Sequence, residues 1–390
     1  MRPVARAPMR CWLSSSCDGV FAVSGGDGLE GEAPCLFVTN MHRNFTGVSA
    51  TAAAVASQQA RDLPMRLVGE PLPGCPSPIT PAQARHLSRR PPRGKPFSIW
   101  HVRRNNEMRA AIFARDVMRL PIRIVFTSAA QRHHSLVPRW LISRMDRVIA
   151  TTPEAATFVK SDVVIPHGVD TARFHPAADR AAAWAATGYP GTAGIATVGR
   201  IRPEKGTDRF VEAMIEALPQ LPGVTALVIG KAGSEHKAFL DGLKGRAAAA
   251  GLSERLLFPG EVVAECMPGL LQSLSLLVAL PRYEGYGVTP LEAMASGVPF
   301  VASDAGHFRA FAGQGVAGVV LPQDGGLVME AARQAVRLVS DTGKVEGMGR
   351  GACLRAHDHF GVSAEVAGIR QVYEDLWNIS QSPETARRAR

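Results

Sequence analysis

Short apolar runs recur along this chain, each followed by a stretch with helical spacing, and the pattern plays out twice. In the first half the runs are Cys35–Thr39, Met65–Val68, Phe97–Trp100, Ile122–Phe126, Arg147–Ala150 and Val163–Ile165. In the second they are Gly194–Val198, Thr225–Ile229, Leu256–Phe258, Leu276–Leu280, Pro299–Ala302 and Gly318–Leu321. Several are unbroken Val/Ile/Leu stretches, as parallel strands covered on both faces require. Between them, sets such as Phe210, Val211, Met214, Ile215 and Leu218 repeat at helical spacing. The expectation is an α/β chain of two Rossmann-like, doubly wound domains, over residues 35–180 and 190–362. The boundary falls where Pro166, Gly168, Pro176, Gly188 and Pro190 cluster. Residues 363–380 read as a closing helix, 381–390 as a frayed tail and 1–34 as a disordered extension. Such sheets bind ligands at the carboxyl ends of their strands, so two facing sheets place the ligand in the cleft between them.

Composition narrows the classes. With 46% hydrophobic and 20% charged residues, a chain of 390 residues is globular. No apolar run reaches the ~18 residues of a membrane-spanning helix; the densest, Leu270–Leu280, is broken by Gln272, Ser273 and Ser275. The six cysteines show no zinc-ligand spacing. Residues 1–170 hold 22 Lys/Arg against 12 Asp/Glu, and residues 171–390 hold 22 of each, so the whole net charge of +10 sits in the first half. That asymmetry points to an anionic partner. Nucleic acid is disfavoured, because the basic segment Arg85–Lys95 lacks interleaved aromatics.

The stretch most informative about chemistry is Pro281–Ser303, PRYEGYGVTPLEAMASGVPFVAS. A buried strand ends near Leu280, and a glycine-containing loop follows. Thr289, Pro290 and Glu292 then read as a helix start with a Thr289/Glu292 capping box, and Gly297 as its stop. Glycines let backbone N–H groups approach a ligand, and a helix N-terminus favours phosphate. Glu284 and Glu292, eight positions apart, flank that point and can accept hydrogen bonds from hydroxyls. A phosphate between two hydroxyl-rich groups describes a nucleotide-sugar. The second stretch, Val198–Gly206 (VGRIRPEKG), follows the first strand of the second half. It brings Arg200 and Lys205 to the same edge, where two cations can neutralise a diphosphate. No D-x-D carboxylate pair occurs for a divalent ion, and no pyridoxal-lysine context is present, so no metal and no cofactor are expected.

These residues resemble the retaining GT-B glycosyltransferases of family 4, through E-x7-E as Glu284…Glu292 and through GRIRPEKG. In the first half, NFTGVSAT (44–51), IWHVRRNNEM (99–108), FTSAAQR (126–132) and IPHGVD (165–170) are similar to the LpcC-type lipopolysaccharide core mannosyltransferases of rhizobia. The resemblance implies a GT-B fold, a nucleotide-sugar donor that is GDP-mannose, and an acceptor that is an anionic lipopolysaccharide precursor bearing Kdo. It also implies a cytoplasmic enzyme, peripheral at the inner face of the inner membrane. By resemblance, Glu284 contacts the transferred hexose and Glu292 the ribose. The N–H groups of Tyr286, Gly287 and Val288 hold the sugar and distal phosphate, while Arg200 and Lys205 stabilise the departing diphosphate. Gly47 begins the first domain's loop–helix turn, and the base lies by Val262.

In one respect the sequence departs from that family. Many members carry a His after the fourth strand of the first domain, where Ser128 stands here. His101, Arg104, Ser128 and Arg132 are therefore the candidates for sugar or acceptor contacts. Arg85, Arg89, Arg90, Arg93, Lys95, Arg103, Arg104 and Arg109 are the candidates for holding an anionic membrane. The alternatives are the same chemistry with UDP-glucose or UDP-N-acetylglucosamine, or a catalytically inactive basic membrane-binding module.

Overall fold

The computed structural model describes residues 33–44 and 46–379; residues 1–32 of the expected extension and the tail 381–390 lie outside it. All twelve expected strands form. β1 (Leu36–Asn40), β2 (Met65–Gly69), β3 (Ser98–Val102), β4 (Ile122–Ser128), β5 (Arg147–Ala150) and β6 (Val163–Val164) make one sheet in the order β2-β1-β3-β4-β5-β6. β7 (Ala193–Val198), β8 (Val224–Ile229), β9 (Leu256–Gly260), β10 (Leu276–Ala279), β11 (Phe300–Ser303) and β12 (Gly318–Leu321) make the other, in the order β12-β11-β10-β7-β8-β9. Every pairing is parallel. The molecule has the GT-B architecture.

Alternation along each strand builds the layers. In β1, Phe37 joins Trp100, Met108 and Phe126 on one face. Leu36 and Val38 join Val55, Ile99 and Val125 on the other. The second face is completed from far along the chain. Helix Thr342–Phe360 packs on the second domain through Ala352, Ala356 and Phe360. Helix Val362–Ile379 then returns to the first sheet and buries Ile369, Tyr373 and Trp377 there. The outbound linker and the returning chain touch: Val169 N–H donates to Phe360 O at 2.8 Å, and Val362 N–H to Val169 O at 3.0 Å. The closing helix thus belongs to the first core although it follows the second domain in sequence.

Candidate active site

Two loops leave the carboxyl edge of the second sheet side by side, one after β7 and one after β10. Arg282 stitches them together. Its N–H donates to Glu204 O at 2.9 Å, and its guanidinium grips Asp208 through two bonds of 2.8 and 2.7 Å. This bidentate pair fixes the register of the loops. Lys205 Nζ accordingly lies 2.5 Å from Glu284 Oε2. The other oxygen, Oε1, accepts from the Gly285 N–H at 3.1 Å. The sequence suggested separate roles for Lys205 and Glu284; the fold makes them a pair. The ammonium keeps two further donors, and the carboxylate keeps unused lone pairs. Arg200 is exposed at the same edge, within the electrostatic reach of Glu284, Glu204, Glu235 and Arg202. It donates no side-chain hydrogen bond among the described residues.

The helix behind the glycine loop starts earlier than its capping signature suggests. It spans Val288–Ala295, with Gly287 at the N-cap in the left-handed region, φ 96°. Thr289 is already inside the first turn, so the Thr289/Glu292 capping box does not form. The reason is local. Gly287 reverses the chain against Phe308, whose ring leaves 2.0 Å for a Cβ, and the helix begins immediately after. Among the described residues, no acceptor takes the N–H groups of Tyr286, Gly287 or Val288. They form the open, positive end of that helix. The Tyr286 side chain is buried beneath. Its ring stacks on His307 at 5.2 Å, and its hydroxyl donates to His167 O at 2.5 Å.

Freed from capping, the Glu292 carboxyl makes no side-chain hydrogen bond among the described residues. Burial pushes it up to about 8, against the opposing pull of Arg173. Arg173 also donates to Ala264 O at 2.5 Å, which ties the domain linker to the loop after β9. Val262 of that loop is buried in the second core. Arg173 has a part in this corner that the sequence did not announce.

The first domain faces the site with the turn after β1. Glu107, fully buried, accepts from Thr39 Oγ1 (2.9 Å), Met41 N–H (3.1 Å) and Arg103 N–H (2.8 Å). Arg104 donates to Asn40 (2.9 Å), Glu107 (3.1 Å), Thr46 (3.2 Å) and Ser49 (2.8 Å). Its guanidinium therefore shapes the turn into helix Gly47–Asp62. A side chain at Gly47 would meet nothing within 4 Å, so the space before that turn is open.

His101 does not face the cleft. It is fully buried, with Nδ1 2.5 Å from Tyr373 Oη and Nε2 2.7 Å from Thr127 Oγ1. Both ring nitrogens are occupied within the core built by the closing helix. Ser128 ends β4, buried, and its hydroxyl accepts from Ala130 N–H at 3.4 Å. The loop that follows meets the donor loop directly: Gln131 N–H donates to Tyr283 Oη at 3.1 Å, and the Arg132 guanidinium sits 5.9 Å from the Tyr283 ring. Gly285 approaches Ala129 so closely that a Cβ would stand 2.6 Å from its carbonyl oxygen. Arg132 thus lies at the seam between the domains.

Residues 189–352 match the family described as Glycosyl transferases group 1. The chain is 40% identical over 355 residues to the lipopolysaccharide core biosynthesis mannosyltransferase LpcC of Rhizobium leguminosarum bv. viciae, covering 89% of this chain and 98% of the relative. It is 39% identical to the lipopolysaccharide core biosynthesis mannosyltransferase LpsB of Rhizobium meliloti (strain 1021), covering 87% and 97%. Among solved structures, Anabaena HepE in complex with UDP and glucose superposes with a TM-score of 0.72 at 18% identity, over 87% of this chain and 99% of that one.

Proposed function

The chain belongs to the group 1 glycosyltransferases, in the family of LpcC and LpsB, and from that membership we propose that it transfers mannose from GDP-mannose to the Kdo region of the lipopolysaccharide inner core. The observation that carries this reading is the extent of the likeness: 98% of LpcC is matched, so the acceptor-side domain is shared as well as the donor-side one.

The residues supply a route that needs no protein nucleophile. The acceptor hydroxyl oxygen bonds to the anomeric carbon from the face the nucleotide leaves. The bond from that carbon to the phosphate oxygen breaks, and its electron pair departs with GDP. The same phosphate takes the hydroxyl proton. Charge grows on the diphosphate as it leaves, and Arg200, Lys205 and the open N–H groups of Tyr286, Gly287 and Val288 stabilise it. Glu284, held by Lys205, accepts from the sugar hydroxyls; Glu292 accepts from the ribose. The configuration is retained, no divalent ion takes part, and the acceptor is drawn from an anionic membrane surface.

The test is incubation of the purified protein with GDP-mannose, UDP-glucose or UDP-N-acetylglucosamine and a Kdo-bearing lipid A, with and without EDTA. Mannosylated product from GDP-mannose alone, α-linked by NMR and undiminished by EDTA, is expected. Preferred use of a UDP-sugar overturns the donor, a β-linkage overturns the mechanism, and loss with EDTA overturns metal independence.

A further inference from the structure

The eight basic residues first suggested as membrane contacts do not form one face. Arg103 is buried, Arg104 is committed to the turn after β1, and Lys95 lies 4.2 Å from the Trp377 ring centroid. The structure exposes a different surface. Helix Asn105–Ile112 continues into a π-helical turn, Phe113–Val117, and helix Leu136–Ser143 runs beside it. Asp116 locks the two together, accepting from Arg115 at 2.7 Å and from Arg144 at 2.7 Å. The paired helices present apolar side chains to solvent: Leu136 is 81% exposed, Val117 64% and Trp140 57%, with Phe113, Val137 and Met118 also exposed. A globular surface seldom leaves such a group uncovered without a partner.

Charge identifies that partner. Arg109, Arg119, Arg139 and Arg144 are exposed on or next to the same segments, and the exposed acid there, Asp116, is already paired with Arg115 and Arg144. A cavity of about 350 Å³, lined by Arg115, Arg119 and Arg123, adjoins them. Large apolar side chains with a tryptophan among them, ringed by arginines, match the boundary between acyl chains and anionic headgroups. Each helix follows a strand and so begins at the carboxyl edge of the sheet; Phe113–Met118, at the far end of its helix, lies toward the opposite edge, where Arg115 and Arg119 share the cavity with Phe97 and Ile122.

We propose that the face formed by Phe113–Met118 and Leu136–Trp140 inserts into the surface of an anionic lipid bilayer. The inference rests on the proposed lipid-borne acceptor only for its purpose, not for the surface itself.

Trp100, Trp184 and Trp377 are fully buried, and Trp12 lies outside the described residues. In a Trp12→Phe background, emission changes on lipid addition therefore report Trp140. Vesicles of phosphatidylethanolamine and phosphatidylglycerol should shift that emission to the blue, and pure phosphatidylcholine should not. Leu136→Ser with Trp140→Ser should lower vesicle partitioning about tenfold, while donor hydrolysis in the absence of lipid stays unchanged. Arg119→Glu with Arg139→Glu, which leaves the apolar face intact, should abolish the preference for phosphatidylglycerol. Unaltered partitioning in both double variants overturns the proposal, as does a dimer in sedimentation velocity that the first double variant dissociates. Vesicle binding requires no turnover, so its failure is separable from failure of the proposed reaction.

Discussion

Lys205 Nζ and Glu284 Oε2 stand 2.5 Å apart, although 79 positions separate the two residues and they come from different loops. The pair is only partly buried, with side chains 25% and 21% exposed, so it contributes little to stability. Its value lies in position. Lys205→Met should leave the fold intact and lower kcat by about 10²–10³, the usual effect of removing one preorganised charge donor. Glu284→Gln should do the same while raising the KM for donor, because it also weakens the contact with sugar hydroxyls. Steady-state kinetics with matched melting curves check this. Full turnover in both variants would make the pair a mere strut between loops.

Glu292 gives a pH signature. Burial raises its carboxyl from 4.5 to about 8, so between those values the folded chain holds a proton that the unfolded chain has released. The stabilisation is complete below 4.5 and is lost as pH rises through about 8, on the order of a few kcal/mol. Donor binding should run the other way, because only the ionised carboxylate accepts from both ribose hydroxyls. Melting temperature should therefore fall, and GDP affinity rise, across this window. Glu292→Gln should flatten both trends. Calorimetric unfolding and GDP titration at a series of pH values measure them.

The fold was legible because parallel strands buried on both faces read as unbroken apolar runs, as Leu276–Ala279 does. Part of the candidate site was legible for a related reason: Glu284, Tyr286 and Gly287 lie in one short loop, and Val288 opens the helix behind it. Contacts made by topology were not. Nothing in IWHVRR says that His101 will meet Tyr373, 272 positions later, and a histidine ending a strand looks the same whether it faces a cleft or a core. The capping box failed because Thr289, Pro290 and Glu292 satisfy a local rule that the reversal at Gly287 pre-empts. Leu136, Val137 and Trp140 carry the lettering of a core stripe, and only the packed structure leaves them outside.

Two glycines of the donor loop should respond differently to alanine. At Gly287 a Cβ would lie 2.0 Å from Phe308 Cε1, on a backbone with φ 96°, which costs about 1–3 kcal/mol in strain and as much again in overpacking. Gly287→Ala should lower Tm by several degrees and abolish activity. At Gly285 the obstruction is the Ala129 carbonyl of the other domain. Gly285→Ala should melt close to the parent yet lose turnover, because the two domains can separate slightly without either unfolding. Thermal melts and initial rates distinguish the two outcomes.

Glu365, on the closing helix, links domain crossing to donor loop. Its Oε1 lies 2.7 Å from His167 Nδ1, its Oε2 accepts from Gly168 N–H at 2.8 Å, and the His167 carbonyl accepts from Tyr286 Oη at 2.5 Å. Glu365→Ala strands two buried donors at about 1–3 kcal/mol each, whereas Tyr286→Phe removes one hydrogen bond, at about 1 kcal/mol net. Since His167 bridges them, both variants should also weaken GDP binding, and the double variant should lose less stability than the two single losses added together. Chemical denaturation and GDP titration of the three variants complete the cycle. Strict additivity, with GDP affinity untouched, would mean that the crossing and the donor loop hold their shapes independently.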